Sequence, residues 1–149
     1  MRQLDIIVAK LEEGCTIKIM VRGNSMRVYL VHERDYVILQ KSESIKVGDV
    51  ILAEVSPKHY VLHRAVKIDG ENVTLRGDGN LSTEYCKLSD VKGKAIAFER
   101  KGRKKQESVD SVKFRMYSWF WMHTLPLRRY LLYAHHLVFR SRKELYKNK

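Results

Sequence analysis

A chain of 149 residues, 44% hydrophobic and 31% charged, suits one domain with a real core plus a short appendage. Its two cysteines, Cys15 and Cys86, lie far apart and in no Cys-x-x-Cys or Cys/His ligand spacing. This argues against a disulfide framework and a zinc site, and for two reduced thiols in a cytosolic compartment. The net charge of +12 is concentrated in the tail: residues 1–99 hold 15 Lys+Arg against 14 Asp+Glu, and residues 100–149 hold 14 against 3.

Leu4, Ile7, Val8 and Leu11 recur at helical spacing and predict a short helix over residues 2–13, stopped by Glu13-Gly14. Residues 16–22 alternate, with Ile17, Ile19 and Val21 on one side, and predict a strand. A turn follows at Gly23-Asn24-Ser25-Met26-Arg27. Apolar runs at 36–40 and 50–55 predict two more strands, separated by the turn signal Val47-Gly48-Asp49. Residues 60–68 and 71–76 flank Asp69-Gly70, a preferred two-residue hairpin turn. Residues 92–99 supply a last strand. The expected fold is therefore mainly β, with a short N-terminal helix and a basic, aromatic helical appendage.

Three segments follow from this pattern: a β-rich domain over 1–99, a basic linker over 100–108 and a helical tail over 109–149. Within the tail, 109–123 and 127–145 are predicted helices with Pro126 marking the break. Residues 1–20 contain Asp5, Glu12 and Glu13 and do not read as a secretory signal. The longest tail stretches free of Asp, Glu, Lys and Arg are 116–127 and 130–139, short of the about 18 residues a membrane span needs. A basic tail carrying Trp119, Trp121, Tyr130 and Tyr133 suits an anionic membrane surface through residues 112–143, or a helical hairpin packed on the domain. Nucleic acid is the weaker expectation for a partner, and no cofactor or metal is expected.

Candidate chemistry lies in three short segments. Ser25 sits in a turn, His63 on a strand, and Asp78 in Gly77-Asp78-Gly79-Asn80. A serine hydroxyl needs a base to become a nucleophile, and the base needs a group to hold its ring. If Asp69-Gly70 forms the hairpin turn, His63 faces Arg76, and Asp78 falls on the same sheet face as His63, diagonal to it. Leu62, Val66 and Ile68 would then share the core face. This count favours Asp78 as the orienting acid, and a one-residue slip would spoil it.

These segments resemble the superfamily of signal peptidase I and the self-cleaving SOS (LexA-like) repressors. Gly23-Asn24-Ser25-Met26-Arg27-Val28 with Leu30 and Arg34-Asp35 is similar to the family's G-x-S-M-x-P, leucine and G-D pattern. Gly48-Asp49-Val50-Ile51, His63-Arg64-Ala65-Val66, and Gly77-Asp78-Gly79-Asn80 with Glu84 follow in the family's order, over residues 19–94. Val28 stands where the motif has proline, and Arg34 where it has glycine. The resemblance implies a coiled β-sheet peptidase domain and a serine endopeptidase that cuts a leader or signal-like segment from a precursor peptide.

His63, where other branches carry lysine, resembles the histidine-base branch of endoplasmic-reticulum and archaeal-type signal peptidases. By position Ser25 is the nucleophile, His63 the base, and Asp78 or Glu84 the acid. Asn24 and Met26 beside the serine, and Leu62 and Arg64 beside the histidine, are expected to contact substrate. The implied location is the cytoplasm, with peripheral contact at the inner face of the membrane. The alternatives are a repressor-like regulator and a non-catalytic peptide-binding domain.

Overall fold

The computed structural model describes residues 3–27, 29–103 and 105–147, with side chains through residue 138. Val28, Lys104 and the side chains of Arg142 and Lys143 lie outside the described residues. Helix α1 (Gln3–Glu12) is followed by strands β1 (Ile17–Met20), β2 (Tyr36–Gln40), β3 (Val50–Ser56), β4 (His59–Asp69), β5 (Asn72–Arg76), β6 (Glu84–Lys87), β7 (Val91–Glu99) and β8 (Glu107–Ser108). Helices α2 (Val112–His123) and α3 (Arg128–Lys147) close the chain, joined by a 3₁₀ turn at Leu125–Leu127 that contains Pro126. The described strands form one antiparallel sheet in the order β1-β2-β7-β3-β4-β5-β6, with β8 added to β7. The mainly β architecture with a short N-terminal helix and C-terminal helices is the one expected from the sequence.

Side chains alternate across a strand, so each strand feeds two faces. On one face Val37, Leu39, Val50, Leu52 and Phe98 pack with Val8 and Leu11 of α1 and Phe114 of α2. On the other, Ile51, Ala53, Ala65, Val73, Leu75 and Cys86 form a smaller core. Register shifts interrupt β2–β7, β3–β4, β3–β7 and β4–β5, and such bulges bend and twist the sheet.

One bulge changes the geometry expected from the sequence. Asp69 pairs with Asn72, so the hairpin turns at Gly70-Glu71 rather than Asp69-Gly70. Farther along, Lys67 pairs with Thr74 but Ala65 with Leu75, leaving Val66 as the extra residue. Arg64 therefore stands opposite Arg76, where the simple count placed His63. Because faces alternate, Arg64 and not His63 shares a face with Asp78. Leu62 also parts from Ile68: Leu62 packs against the larger core and Ile68 against the smaller.

The start of the tail belongs to the packing of the β-domain. Ser111 caps α2 by accepting from the Phe114 N–H. Phe114, Tyr117 and Trp121 recur at i, i+3 and i+7 and point inward, with Phe114 and Tyr117 against Tyr29 and Phe98. Trp121, expected at a membrane surface, is instead buried. Among the described residues no helix is long and apolar enough to cross a membrane.

Candidate active site

The serine turn is built by its neighbours. Gly23 has φ +84°, a left-handed conformation that glycine adopts without a Cβ penalty. Its N–H donates to His32 Nδ1 at 2.8 Å. After Ser25, the Leu30 N–H donates to the Met26 carbonyl, and Met26, Tyr29 and Leu30 are buried in the core. Asp35 holds the far end: its buried carboxylate accepts from the Val31 and Lys101 N–H groups and from Arg34. Burial opposes ionisation of Asp35, yet these donors outweigh it and hold its pKa below the ordinary carboxylate range. The Arg34-Asp35 pair thus keeps an acid where the motif has one, despite the lost glycine.

Ser25 is half-buried and seated on the loop after β5. The Gly79 N–H donates to the Ser25 carbonyl at 2.7 Å. A Cβ at Gly77 would overlap that carbonyl and stand 3.0 Å from Ser25 Cβ; one at Gly79 would overlap the Asn24 carbonyl and crowd Arg27. The glycines flanking Asp78 are therefore required by the serine turn itself. Gly77 directly follows Arg76, which pairs with Arg64, so the loop that seats Ser25 leaves the sheet beside the His63-Arg64 stretch of β4.

His63 and Glu84 meet across three strands. Ala65, Leu75 and Glu84 are aligned neighbours on β4, β5 and β6, and His63 lies two residues from Ala65 on the same face. His63 Nδ1 is 2.9 Å from Glu84 Oε2, with the ring N–H off line for a full hydrogen bond. Such contacts often tighten only when substrate is bound. The acid takes Nδ1, leaving Nε2 as the nitrogen for a nucleophile. Burial pushes the His63 pKa below its ordinary 6.5, opposed but not overcome by Glu84 and, more weakly, by Asp78. The ring is therefore neutral near pH 7, the state a general base requires.

Asp78 has another task. Its carboxylate takes two hydrogen bonds from Arg64, at 2.8 and 2.7 Å, and one from the Tyr117 hydroxyl at 3.1 Å. Trp121 Nε1–H donates to the Asp78 backbone carbonyl at 2.9 Å. Both members of the Arg64–Asp78 pair are 1% exposed. Arg64 also donates to the Gly48 carbonyl and the Ser118 hydroxyl. Asp78 as the acid that orients His63 is thus corrected by the bulge at Val66, which turns it toward Arg64.

The chain matches the Peptidase S24-like family over residues 2–95. It belongs to that family. No curated protein matches it.

The S24-like domain places the four expected substrate contacts differently. Leu62 lines a cavity of about 540 Å³ walled also by Leu4, Ile7, Ile17, Ile19 and Leu52. Asn24 is exposed at the serine turn. Met26 and Arg64 are buried, one as a core side chain and the other as partner to Asp78, so neither is open at the surface. Tyr117 and Trp121 were not anticipated here. Their signal was available in the i, i+3, i+7 spacing with Phe114, which marks an inward face. The tail helix α2 consequently braces the loop on which Ser25 sits.

The crowding at position 77 gives a direct expectation. Gly77→Ala should destabilise the domain by about 1–3 kcal/mol, the usual cost of overpacking a filled site. Because the displaced atoms belong to Ser25, any activity should fall further than the melting temperature alone explains. Thermal unfolding measured beside turnover checks this.

Proposed function

We propose that this S24-like protein is a serine endopeptidase that releases a leader or signal-like segment from a precursor peptide. Ser25 Oγ attacks the scissile carbonyl carbon while His63 Nε2 takes its proton. His63 then protonates the leaving amine, and water hydrolyses the acyl-serine by the reverse proton path. Glu84 at Nδ1 fixes the imidazole tautomer and stabilises its charged form. Backbone N–H groups, that of Ser25 among them, bind the oxyanion. The histidine at position 63 favours the histidine-base branch over the lysine-base branch.

The observation that supports this reading is the Glu84 carboxylate on His63 Nδ1, together with a Ser25 turn packed on Gly77, which follows the Arg76 paired with Arg64. The substrate path is supported by β1, an edge strand whose free side can pair with an extended peptide, beside the apolar cavity that Ile17, Ile19 and Leu62 line. Incubation with precursor peptides and mass-spectrometric mapping tests the reading. A single internal cut made by the wild type and not by Ser25→Ala supports it. Peptide binding without cleavage would instead mark a non-catalytic domain.

The pH dependence follows from the buried imidazole. Only neutral His63 can accept the serine proton, and burial lowers its pKa. Turnover should rise with pH and level off, with a midpoint below 6.5. The same shift acts on stability. Between the lowered folded value and 6.5 the unfolded chain binds more protons, so stability contributed by neutral His63 is lost as pH falls through that window. A turnover midpoint well above 6.5 contradicts His63 as the base.

A further inference from the structure

Helix α2 is apolar on both sides. Phe114, Tyr117 and Trp121 pack inward, while Val112, Met116 and Trp119 are 73%, 66% and 64% exposed on the opposite side. A helix packed through one face ordinarily shows polar residues on the other. Helix α3 repeats the pattern. Leu131, Leu132 and His135 are half-buried, while Tyr130 and Tyr133 are 65% and 64% exposed, with Leu137 beyond them on the same stripe. The 3₁₀ turn between the helices adds exposed Leu125 and Leu127.

Within these helices through residue 143 the charge has one sign, with Asp49 and Asp110 of the preceding segments at the border, in the groove that Arg115 and Trp119 line. From residue 111 to residue 143 there are seven Lys or Arg and no Asp or Glu. Arg128 is buried and donates to the Trp121 carbonyl, but Arg115 and Arg129 are exposed beside the apolar stripes. Large apolar and aromatic side chains fill the middle of each stripe, with cations next to them. That order matches a lipid surface, where acyl chains lie below phosphates and indole and phenol rings sit between. Duplex DNA would need cations at the centre of the contact. A second copy would bring two strongly cationic tails together, which their mutual repulsion opposes.

We propose that the outer faces of α2 and the described part of α3 dock this protein on an anionic lipid bilayer, with Met116, Trp119, Tyr130 and Tyr133 in the headgroup layer. The docking is peripheral and independent of the Ser25 chemistry, so Ser25→Ala binds lipid as the wild type does.

The test uses the full chain and sedimentation with vesicles of phosphatidylglycerol and phosphatidylcholine, or of phosphatidylcholine alone, at about 0.1 M salt, where charge still acts over about 10 Å. The expected result is at least tenfold tighter binding to the anionic vesicles. Met116→Glu combined with Trp119→Glu should weaken that binding at least tenfold without altering circular dichroism, since both positions are open to solvent. Arg115→Ala should weaken it about fivefold. Tryptophan emission of the wild type should shift to the blue on adding anionic vesicles, and the shift should vanish in Trp119→Phe; this readout needs no destabilising change. Failure to bind anionic vesicles overturns the proposal. So does equal binding by the double glutamate variant, self-association that shields Trp119 without lipid, or a salt-sensitive shift of duplex DNA in place of vesicle binding.

Discussion

Replacing Ser25 by alanine is expected to lower turnover of a cleavable precursor about 10⁶-fold, as losing the nucleophile does in serine peptidases whose triad acts as a unit. The fold should not change. Ser25 is held through its backbone, by the Gly79 N–H on its carbonyl and by the buried Met26, Tyr29 and Leu30 that follow. Loss of one hydroxyl removes none of these. His63→Ala should cost a similar factor in turnover. Single-turnover assays on a mapped precursor, with circular dichroism on the same samples, separate lost chemistry from lost structure. A Ser25→Ala variant that still cuts at the wild-type position would assign the nucleophile elsewhere.

The second large effect separates the two acids. Glu84→Gln should leave stability nearly unchanged, because the Glu84 side chain is 39% exposed and its partner His63 is neutral near pH 7, so no ion pair is broken. Turnover should nevertheless drop about 10⁴-fold, as when the orienting acid of a serine triad loses its charge. Asp78→Ala should do the reverse first. It strands the buried Arg64 guanidinium and removes the acceptor for Tyr117. Breaking one side of a buried pair costs about 3–5 kcal/mol. For a chain of this length that lowers the melting temperature by roughly 10 °C. Denaturant unfolding and turnover measured on both variants give the contrast. If Asp78→Ala were stable and inactive while Glu84→Gln kept full activity, the roles of the two acids would be reversed.

Much of this was legible in the sequence. Strand β1 and both helix-bearing segments follow from apolar spacing, since period 2 and period 3.6 are local signals. The serine turn, the His63 strand and the Gly77–Gly79 loop were visible as motifs, and the S24-like match covers all three. What spacing could not show was the extra residue at Val66. A bulge leaves no compositional mark here, yet it exchanges which of His63 and Arg64 faces Asp78. Strand β6 was missed because Glu84-Tyr85-Cys86-Lys87 is only four residues long, charged at both ends, and lies on an edge. Its position is what brings Glu84 to His63. The inward role of Trp121 was hidden by Trp119 two residues earlier: both are aromatic, and only packing tells the buried one from the exposed one.

Reaction with a fluorophosphonate probe, with the adduct located by peptide mass spectrometry, tests the proposed nucleophile and base most directly. One adduct per chain is expected, on Ser25, formed in the wild type and abolished in His63→Ala although Ser25 is still present. A wild-type chain that stays unlabelled, or a Ser25 adduct that forms equally fast without His63, would contradict it.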